Sequence, residues 1–323
     1  MKIEDFFIKE QDFADAMEGK VLPFLKGKIK EGYFETFDGL KLHYEMLINP
    51  EEKAAIVMSH GDCEFITKYA ETMYYFYQIG YSVFIVEHRG HGFSDRQVEG
   101  FSKVHLNRFD DYVDDFHLFI EKIVKAESIT GNLLLFAHSM GGGIGARYIE
   151  EHTDVFKCAV LSSPMIKLST GKTNPVVLKI VLAMCYIPFL KNKYLPGYHD
   201  YDHSFKYPKC SAISKARYTY QYNEREREVH YQTNGCTFGW SRECFNVSKK
   251  ILKNASSIKI PVIIMQASLD DLVVPEAQNV FTDLVPSSKL IRFEGSRHEI
   301  FNATDEIILD YYHKVFEFFE SNR

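Results

Sequence analysis

Short apolar runs rich in β-branched and aromatic residues recur along the chain and alternate with longer segments of helical pattern. Near-continuous apolar character is typical of strands in a sheet that is covered on both faces. Helices are predicted at 68–78 and at 109–126, and the second of these has apolar residues at helical spacing with acids on its other face. The predicted strands are 54–59, 81–87, 132–137, 158–162, 261–266 and 289–293.

The alternation of strands and helices predicts an α/β protein with a parallel, doubly wound sheet. Two further strands, 30–37 and 40–47, flank the turn signal Asp38-Gly39 and indicate an antiparallel hairpin at the edge of that sheet. The first thirty residues are expected to add a helix outside the core. The core therefore begins at about residue 30.

The alternation stops between residues 165 and 250. This stretch holds an apolar run at 175–190, a tyrosine-rich segment near 218–222 and a mixed charge run at 224–228. An insertion between two core strands explains the change of pattern, because the strand and helix signals resume after it. The expected division is a core in two parts, 1–164 and 251–323, and a mainly helical cap at 165–250.

The composition is that of a globular protein. The 323 residues are 46% hydrophobic and 25% charged, which is enough for one large core with an inserted subdomain. The net charge is −6 with both signs interspersed, so nucleic acid is not a predicted partner. The six cysteines form no CxxC pair and no zinc-ligand pattern, and we interpret them as reduced thiols in a reducing compartment.

The sequence also bears on location. The N-terminus has acidic residues where a secretory signal has a basic region and an apolar stretch. The apolar run 175–190 contains Lys179 and Pro188 and is shorter than the roughly 20 residues of a spanning helix. These features predict a cytoplasmic protein. The same run can lie on a lipid surface, so transient peripheral contact with the inner face of the membrane through the cap is a further expectation.

The segment 136–142 (FAHSMGG) follows a predicted strand and opens a predicted helix. A tight turn in this context lifts a serine hydroxyl clear of the sheet, and it needs small residues two positions before and after the serine. Those positions hold Ala137, in place of a glycine, and Gly141. Ser139 is therefore the candidate nucleophile. The alternative is a serine that caps a helix.

A serine nucleophile on such a turn is followed along the chain first by an acid and then by a histidine base. His313 lies in a predicted amphipathic helix at 307–319, where no special role is expected. His298 lies in the loop after the strand 289–293, from which an imidazole can reach the serine. His298 is therefore the candidate base.

Two adjacent carboxylates compete for the role of the acid. Asp270 and Asp271 follow the strand 261–266, where a carboxylate can accept the Nδ1–H of the base. We expect Asp270 to be the acid, with Asp271 as the alternative. Either of them could instead cap a helix predicted at 272–284.

The chemistry also needs two backbone N–H donors for a developing oxyanion. One is expected from Met140, and the other from Asp62, because the His-Gly pair after the strand 54–59 forms a tight turn that aims the next amide. The Asp62 side chain is expected to point elsewhere. A second glycine-rich loop, 88–94, holds two histidines and an arginine without metal-ligand spacing, and we interpret it as a structural turn.

Six short motifs together resemble those of a known family. They are HGDCE at 60–64, HRGHG at 88–92, FDDYVDDF at 109–116, AHSMGG at 137–142, GWSRE at 239–243 and RHEI at 297–300. With these motifs the chain is similar to the bacterial lysophospholipase branch of the monoacylglycerol-lipase-like hydrolases, from about residue 30 to the C-terminus. The shared core motifs occur in many lipases, esterases and thioesterases, whereas the similarity within the insertion points towards lysophospholipids.

The resemblance implies an α/β-hydrolase fold, with a mostly parallel eight-stranded sheet, helices on both faces and an inserted cap. It implies hydrolysis of the carboxylic ester of a lipid with a single acyl chain, a lysophospholipid or a monoacylglycerol, through an acyl-serine intermediate. No cofactor or metal is expected, because the proposed chemistry requires none.

Two questions stay open in the sequence. The apolar run of the cap suits either a wall for an acyl chain or ordinary packing of cap on core. The cap composition does not fix acyl length, so a short-chain carboxylesterase or an acyltransferase with the same three residues is an alternative. A non-catalytic, ligand-binding member of the fold is the third reading, since a fold alone does not guarantee activity.

Overall fold

The computed structural model describes residues 2–323. Eight strands form one sheet and two very short strands form another. Each predicted strand is present, and its ends lie within two residues of the expected ones. The strands are β1 Ile29–Glu35, β2 Lys41–Leu47, β3 Ala55–Ser59, β4 Ser82–Val86, β5 Lys103–Val104, β6 Leu133–His138, β7 Phe156–Ser162, β8 Gly235–Cys236, β9 Val262–Ala267 and β10 Ser288–Phe293.

The large sheet has the strand order β1-β2-β4-β3-β6-β7-β9-β10. The pairs β1–β2 and β2–β4 are antiparallel, and every other neighbouring pair is parallel. The predicted edge hairpin is therefore confirmed. Every residue of β3, β4, β6 and β9 is buried, which is why these strands read as continuous apolar runs.

Residues 2–323 also form eleven α-helices: two precede the first strand and nine follow or connect strands, and short 3₁₀ and π turns extend several of them. The α-helices are α1 Phe13–Ala16, α2 Leu22–Lys26, α3 Ala70–Ile79, α4 Asp110–Phe119, α5 Lys125–Glu127, α6 Met140–Glu151, α7 Pro175–Met184, α8 Lys215–Arg227, α9 Phe238–Asn254, α10 Pro275–Leu284 and α11 Asp305–Asn322. The 3₁₀ turns are Ile3–Asp5, Glu10–Asp12, Ile66–Tyr69, Pro188–Leu190, Val229–Tyr231, Ala255–Ser257 and Ile300–Asn302, and the π turns are Met17–Val21 and Ile120–Val124.

The helices bury their apolar sides against both faces of the large sheet. One layer contains α4, α6, α9 and α10, and the other contains α3 and α11. The N-terminal turns bury Phe13, Met17 and Val21 in the same cluster as α3 and α11. The helical segment expected before residue 30 is present, but it does not lie outside the core, because these side chains complete one apolar layer of the core.

The long connection between β7 and β9 contains α7, α8 and α9. Helix α9 buries Cys244, Val247 and Ile251 in the core layer beside α6, whereas α7 has no buried residue. Within residues 2–323 no helix combines the length and the apolar character needed to cross a bilayer. The insertion therefore separates into a part that covers the sheet and a part that lies above the strand ends.

Candidate active site

Ser139 lies at the turn between β6 and α6, with φ 53° and ψ −119°. This backbone conformation is sparsely populated for any residue with a Cβ. Hydrogen bonds hold it from three sides: the Ser139 N–H donates to the Ser162 carbonyl at 3.0 Å, and the Ser139 carbonyl accepts from Met165 at 2.8 Å and from Gly143 at 3.1 Å. The turn is therefore fixed with its hydroxyl beyond the end of the sheet.

Close packing explains why the residues around this turn are small. A Cβ on Gly141 would overlap the Ser59 carbonyl group, so no side chain fits there. Ala137 is tolerated two residues before Ser139 because α6 has a glycine opposite it: a Cβ on Gly145 would lie 3.2 Å from the Ala137 methyl. Alanine in place of the usual glycine is thus matched by a glycine on the facing helix.

Ser139, His298 and Asp270 form one chain of hydrogen bonds. The Ser139 Oγ lies 2.7 Å from His298 Nε2, and His298 Nδ1 lies 2.7 Å from Asp270 Oδ2. The serine follows β6, the acid follows β9 and the histidine follows β10, so the carboxyl ends of three parallel strands bring them together. With Nδ1–H donated to the carboxylate, Nε2 is left to accept the serine proton.

The competing residues occupy other places. Asp271 is exposed and has no hydrogen bond to His298, whereas the Oδ1 of Asp270 accepts from Leu272 N at 3.0 Å and from Val273 N at 3.2 Å. Helix α10 begins at Pro275 and lacks a side-chain cap, so neither acid has the alternative role of capping it. His313 pairs with Glu4 on the outside of α11.

Burial and charge shift the pKa values of His298 and Asp270 in opposite directions. Burial alone would lower the pKa of His298, but the charge of Asp270 and its hydrogen bond raise that pKa above the ordinary value of 6.5. Burial alone would raise the pKa of Asp270, but His298 and two backbone N–H groups lower it below 3.8. The arrangement therefore favours a carboxylate beside an imidazole that binds a proton more tightly than usual.

The two predicted donors of backbone N–H groups, Met140 and Asp62, lie in segments next to the serine. Met140 is the first residue of α6, where an N–H has no acceptor within its own helix and the helix dipole favours negative charge. Asp62 follows Gly61, whose backbone is so close that a Cβ on it would lie 3.0 Å from the Ser139 Cβ. The Asp62 carboxylate lies 3.3 Å from His91 Nε2 and 3.4 Å from Cys236 Sγ.

The glycine-rich loop 88–94 forms hydrogen bonds with the segment 59–63, which contains Asp62. His88 Nε2 lies 2.8 Å from Ser59 Oγ, the His88 N–H donates to His60 Nε2 at 3.0 Å, and the Cys63 N–H donates to His91 Nε2 at 3.1 Å. Burial lowers the pKa of His60 to about 4, so its imidazole is neutral and accepts. The contacts are those of the structural turn that the sequence suggested.

A buried charged network beside the three residues was missed by the sequence reasoning. Lys68 Nζ lies 2.8 Å from Glu299 and also contacts Glu64, and the Gly61 N–H donates to Glu64 at 2.6 Å. Burial alone would raise the pKa of Glu299, but Lys68 lowers it to about 2. The network therefore ties the loop before Asp62 to the loop that carries His298. Its sequence signal was a glutamate four residues before a lysine, and a glutamate next to the histidine.

Ser139 and His298 open into a cavity of about 620 Å³, within the usual range for small-molecule sites. Its lining residues are of two chemical kinds. We call the first the apolar half, and its main residues are Met165, Val177, Leu178, Val181, Trp240 and Phe245. We call the second the polar half, and its main residues are Lys68, Tyr201, Lys206, Tyr218, Tyr222 and Arg225.

Residues 2–323 contain one group of side chains that could hold a metal ion. The side chains of Glu31, His43 and Glu45 bring one ligand atom each within 4.8 Å of one another on the β1–β2 hairpin. None of the three lines the cavity at Ser139. The hydrogen-bonded groups at Ser139 can carry proton transfer and nucleophilic attack with protein atoms alone.

Residues 50–305 match the family model described as serine aminopeptidase, S33. The probable lysophospholipase L2 of Haemophilus influenzae is 28% identical over 302 residues, which are 93% of this chain and 95% of that protein. The monoacylglycerol lipase of Mycolicibacterium smegmatis is 24% identical over 288 residues, 87% of this chain and 94% of that protein.

A solved structure supports the fold. A soluble variant of the monoglyceride lipase from Saccharomyces cerevisiae, in complex with a substrate analogue, superposes with a TM-score of 0.69 at 21% identity and covers 91% of this chain and 97% of that chain. At this identity the likeness concerns the fold alone. The α/β-hydrolase fold predicted from the sequence, with its mostly parallel eight-stranded sheet and helices on both faces, is confirmed.

Proposed function

The chain belongs to the serine aminopeptidase, S33, family, and from that premise we propose that it hydrolyses the carboxylic ester of a lipid with a single acyl chain. The resemblance to lysophospholipases and monoacylglycerol lipases identified from the sequence is confirmed by the relatives. The observation that carries the proposal is the hydrogen-bonded chain Ser139–His298–Asp270, which opens into a cavity with one apolar half.

The proposed reaction has two stages. The Ser139 Oγ attacks the acyl carbonyl while His298 Nε2 takes the hydroxyl proton, and Asp270 holds the imidazole and stabilises its positive charge. The N–H groups of Met140 and Asp62 bind the oxyanion of the tetrahedral intermediate. His298 then protonates the departing alcohol, which leaves an acyl-serine. A water molecule gives a proton to His298 and attacks the acyl carbonyl. His298 then returns that proton to the Ser139 Oγ as the acyl–oxygen bond breaks and the fatty acid leaves.

The apolar half is proposed to hold the acyl chain. Val177, Leu178 and Val181 of α7 line the cavity, and each CH₂ group buried there contributes about 0.8 kcal/mol of transfer free energy. The absence of buried residues along α7, in the described part of the chain, favours an acyl wall over the alternative of packing between cap and core. An acyl chain would cover side chains that the protein itself leaves uncovered.

We propose that the cap spans residues 165–237. The boundary first expected, 250, falls inside α9, whose buried side chains belong to the core layer. The outer side of this cap exposes Val176, Ile180 and Phe189, and Phe189 is 78% exposed. Exposed apolar side chains beside a lipid cavity support transient contact with a membrane surface, from which a single-chain lipid can enter.

The test is fatty-acid release by the purified protein from three esters: a palmitoyl lysophospholipid, palmitoylglycerol and a butyrate ester. We expect kcat/KM to be highest for a palmitoyl substrate, because a long acyl chain buries more CH₂ groups in the apolar half. A maximum at the butyrate ester would support a short-chain esterase instead. Release from none of the three would leave only a ligand-binding protein.

A further inference from the structure

The polar half of the cavity contains cations, and most of them are already neutralised. Lys68 lies between Glu64 and Glu299. Lys206 has its ammonium group 3.5 Å from Asp202. The hydroxyl groups of the tyrosines are also engaged: that of Tyr201 donates to Glu226 at 2.9 Å. The polar half therefore offers a ligand fewer free donors than its composition suggests.

Arg225 on α8 differs from these residues. It lies in the charge run 224–228, but its acidic neighbours have other partners: Glu224 binds Arg227 at 2.8 Å, Glu226 binds Tyr201, and Glu228 binds His230 at 2.5 Å. Within residues 2–323 no carboxylate lies within 4.0 Å of the Arg225 guanidinium group. Its half-buried side chain therefore has no ion-pair partner among residues 2–323.

The position of Arg225 relates it to the reacting atoms. Its Nη2 donates to the carbonyl group of Cys63, the residue after Asp62, and the guanidinium group lies 5.7 Å from the centre of the Phe65 ring. Arg225 and Ser139 line the same cavity. If the acyl chain fills the apolar half, the alcohol part of the ester extends into the polar half, where Arg225 lies.

We propose that Arg225 binds the phosphate group of a lysophospholipid, so that the substrate class is a glycerophosphate ester rather than a neutral glyceride. The proposal rests on the proposed function. A guanidinium group offers parallel N–H donors that match phosphate oxygens. The chain has a net charge of −6, so an anionic head group needs a local cation to offset repulsion. A monoacylglycerol carries no charge for Arg225 to bind.

The test compares two substrates with the same chain, palmitoyl lysophosphatidylglycerol and palmitoylglycerol. In Arg225→Gln the ratio of kcat/KM for the first substrate to kcat/KM for the second should fall at least about tenfold, and Arg225→Lys should restore part of it. Arg227→Gln is the matched control, since it makes the same change on the same helix at a side chain that is 64% exposed. Its ratio should stay within about twofold of the wild type.

Other results would overturn either the phosphate site or the proposed function. Equal loss on both substrates in Arg225→Gln would make Arg225 a residue that positions the Cys63 loop, and would overturn the phosphate site while the hydrolase stands. The same fall in Arg227→Gln would also overturn it. Failure of the wild type to hydrolyse either palmitoyl ester would instead overturn the proposed function.

A second measurement needs no variant. sn-Glycerol 3-phosphate should inhibit hydrolysis of a neutral butyrate ester by the wild-type protein at least about tenfold more strongly than glycerol, because only the phosphate can bind Arg225. Equal inhibition by the two compounds would contradict the proposal even if Arg225→Gln failed to fold.

Discussion

The methyl group of Ala137 on β6 lies against the backbone of Gly145 on α6. A Cβ on Gly145 would stand 3.2 Å from the Ala137 Cβ and 3.0 Å from Leu135 Cδ2. Contacts this close force neighbouring atoms to move, because the interior has little free volume. The two residues therefore act as a matched pair beneath the turn that carries Ser139.

This pairing predicts a coupling between two substitutions. Gly145→Ala should lower the free energy of unfolding by about 1 kcal/mol, because overpacking outweighs the better helix propensity of alanine. In an Ala137→Gly background the same change should cost less, by at least about 0.5 kcal/mol. Urea denaturation of the four proteins measures this difference. Equal costs in both backgrounds would show that the two positions do not share space.

The raised pKa of His298 predicts the pH dependence of hydrolysis. The imidazole must be neutral to accept the serine proton, so kcat/KM should fall as the pH is lowered through a midpoint above 6.5. Asp270→Asn removes the charge that raises this pKa, so the midpoint of the residual activity should move to lower pH. We expect kcat to fall by about 10³–10⁴-fold in that variant.

Asp271→Asn is the control for this experiment. Asp271 is exposed and has no hydrogen bond to His298, so its loss should change kcat by less than about threefold and leave the midpoint in place. Initial rates from pH 5 to pH 9 for the wild type, Asp270→Asn and Asp271→Asn show which aspartate is the acid. A larger effect of Asp271→Asn than of Asp270→Asn would assign the acid to the neighbouring residue.

The buried network around Lys68 predicts a large loss of stability. Lys68→Met leaves Glu64 and Glu299 buried without their cation, which should cost about 3–5 kcal/mol of unfolding free energy at pH 7. Lys249→Met is a suitable control on an exposed lysine and should change stability by less than about 0.5 kcal/mol. Chemical denaturation gives both values.

The sign of the pH effect on this network follows from Glu299. Its pKa is lowered from 4.5 to about 2, so its contribution is fully present above pH 4.5 and is lost as the pH falls towards 2. Lowering the pH from 5 to 3 should therefore destabilise the wild type more than Glu299→Gln. The same slope in both proteins would argue against the lowered pKa.

The exposed apolar side of the cap predicts binding to lipid vesicles. Val176→Asp with Ile180→Asp should reduce co-sedimentation with vesicles of phosphatidylglycerol and phosphatidylethanolamine by at least about fivefold, because both side chains are more than half exposed and neither lines the cavity. Val280→Asp on α10 is a control at an exposed valine in the core domain. Equal loss in that variant would mean that the cap has no special part in membrane contact.

Much of the fold followed from residue patterns because its signals are local. The central strands are buried on both faces, so they read as continuous apolar runs in the sequence. Phe13, Met17 and Val21 have the i, i+4, i+8 spacing of an apolar helix face, but only their contacts in the cluster of α3 and α11 show that this face belongs to the core.

A candidate site residue could be predicted where its local sequence context distinguishes it from other residues of the same type. The turn at Ser139 has a local pattern, and His298 was favoured over His313 because it lies in a loop after a strand rather than in an amphipathic helix. Asp270 and Asp271 have the same local context, and only the hydrogen bonds of the loop after β9 separate them. The spacing of Glu64 and Lys68 is local, but nothing in the sequence shows that Lys68 also meets Glu299 in a distant loop.

The central claim is that Ser139 is the nucleophile of a lipid ester hydrolase, and fatty-acid release from a palmitoyl ester by Ser139→Ala tests it most directly. Ser169→Ala, which removes another hydroxyl group that lines the cavity, is the matched control. We predict a loss of at least about a thousandfold in kcat for folded Ser139→Ala and a change of less than about threefold for the control. Release by Ser139→Ala within tenfold of the wild type would contradict the account.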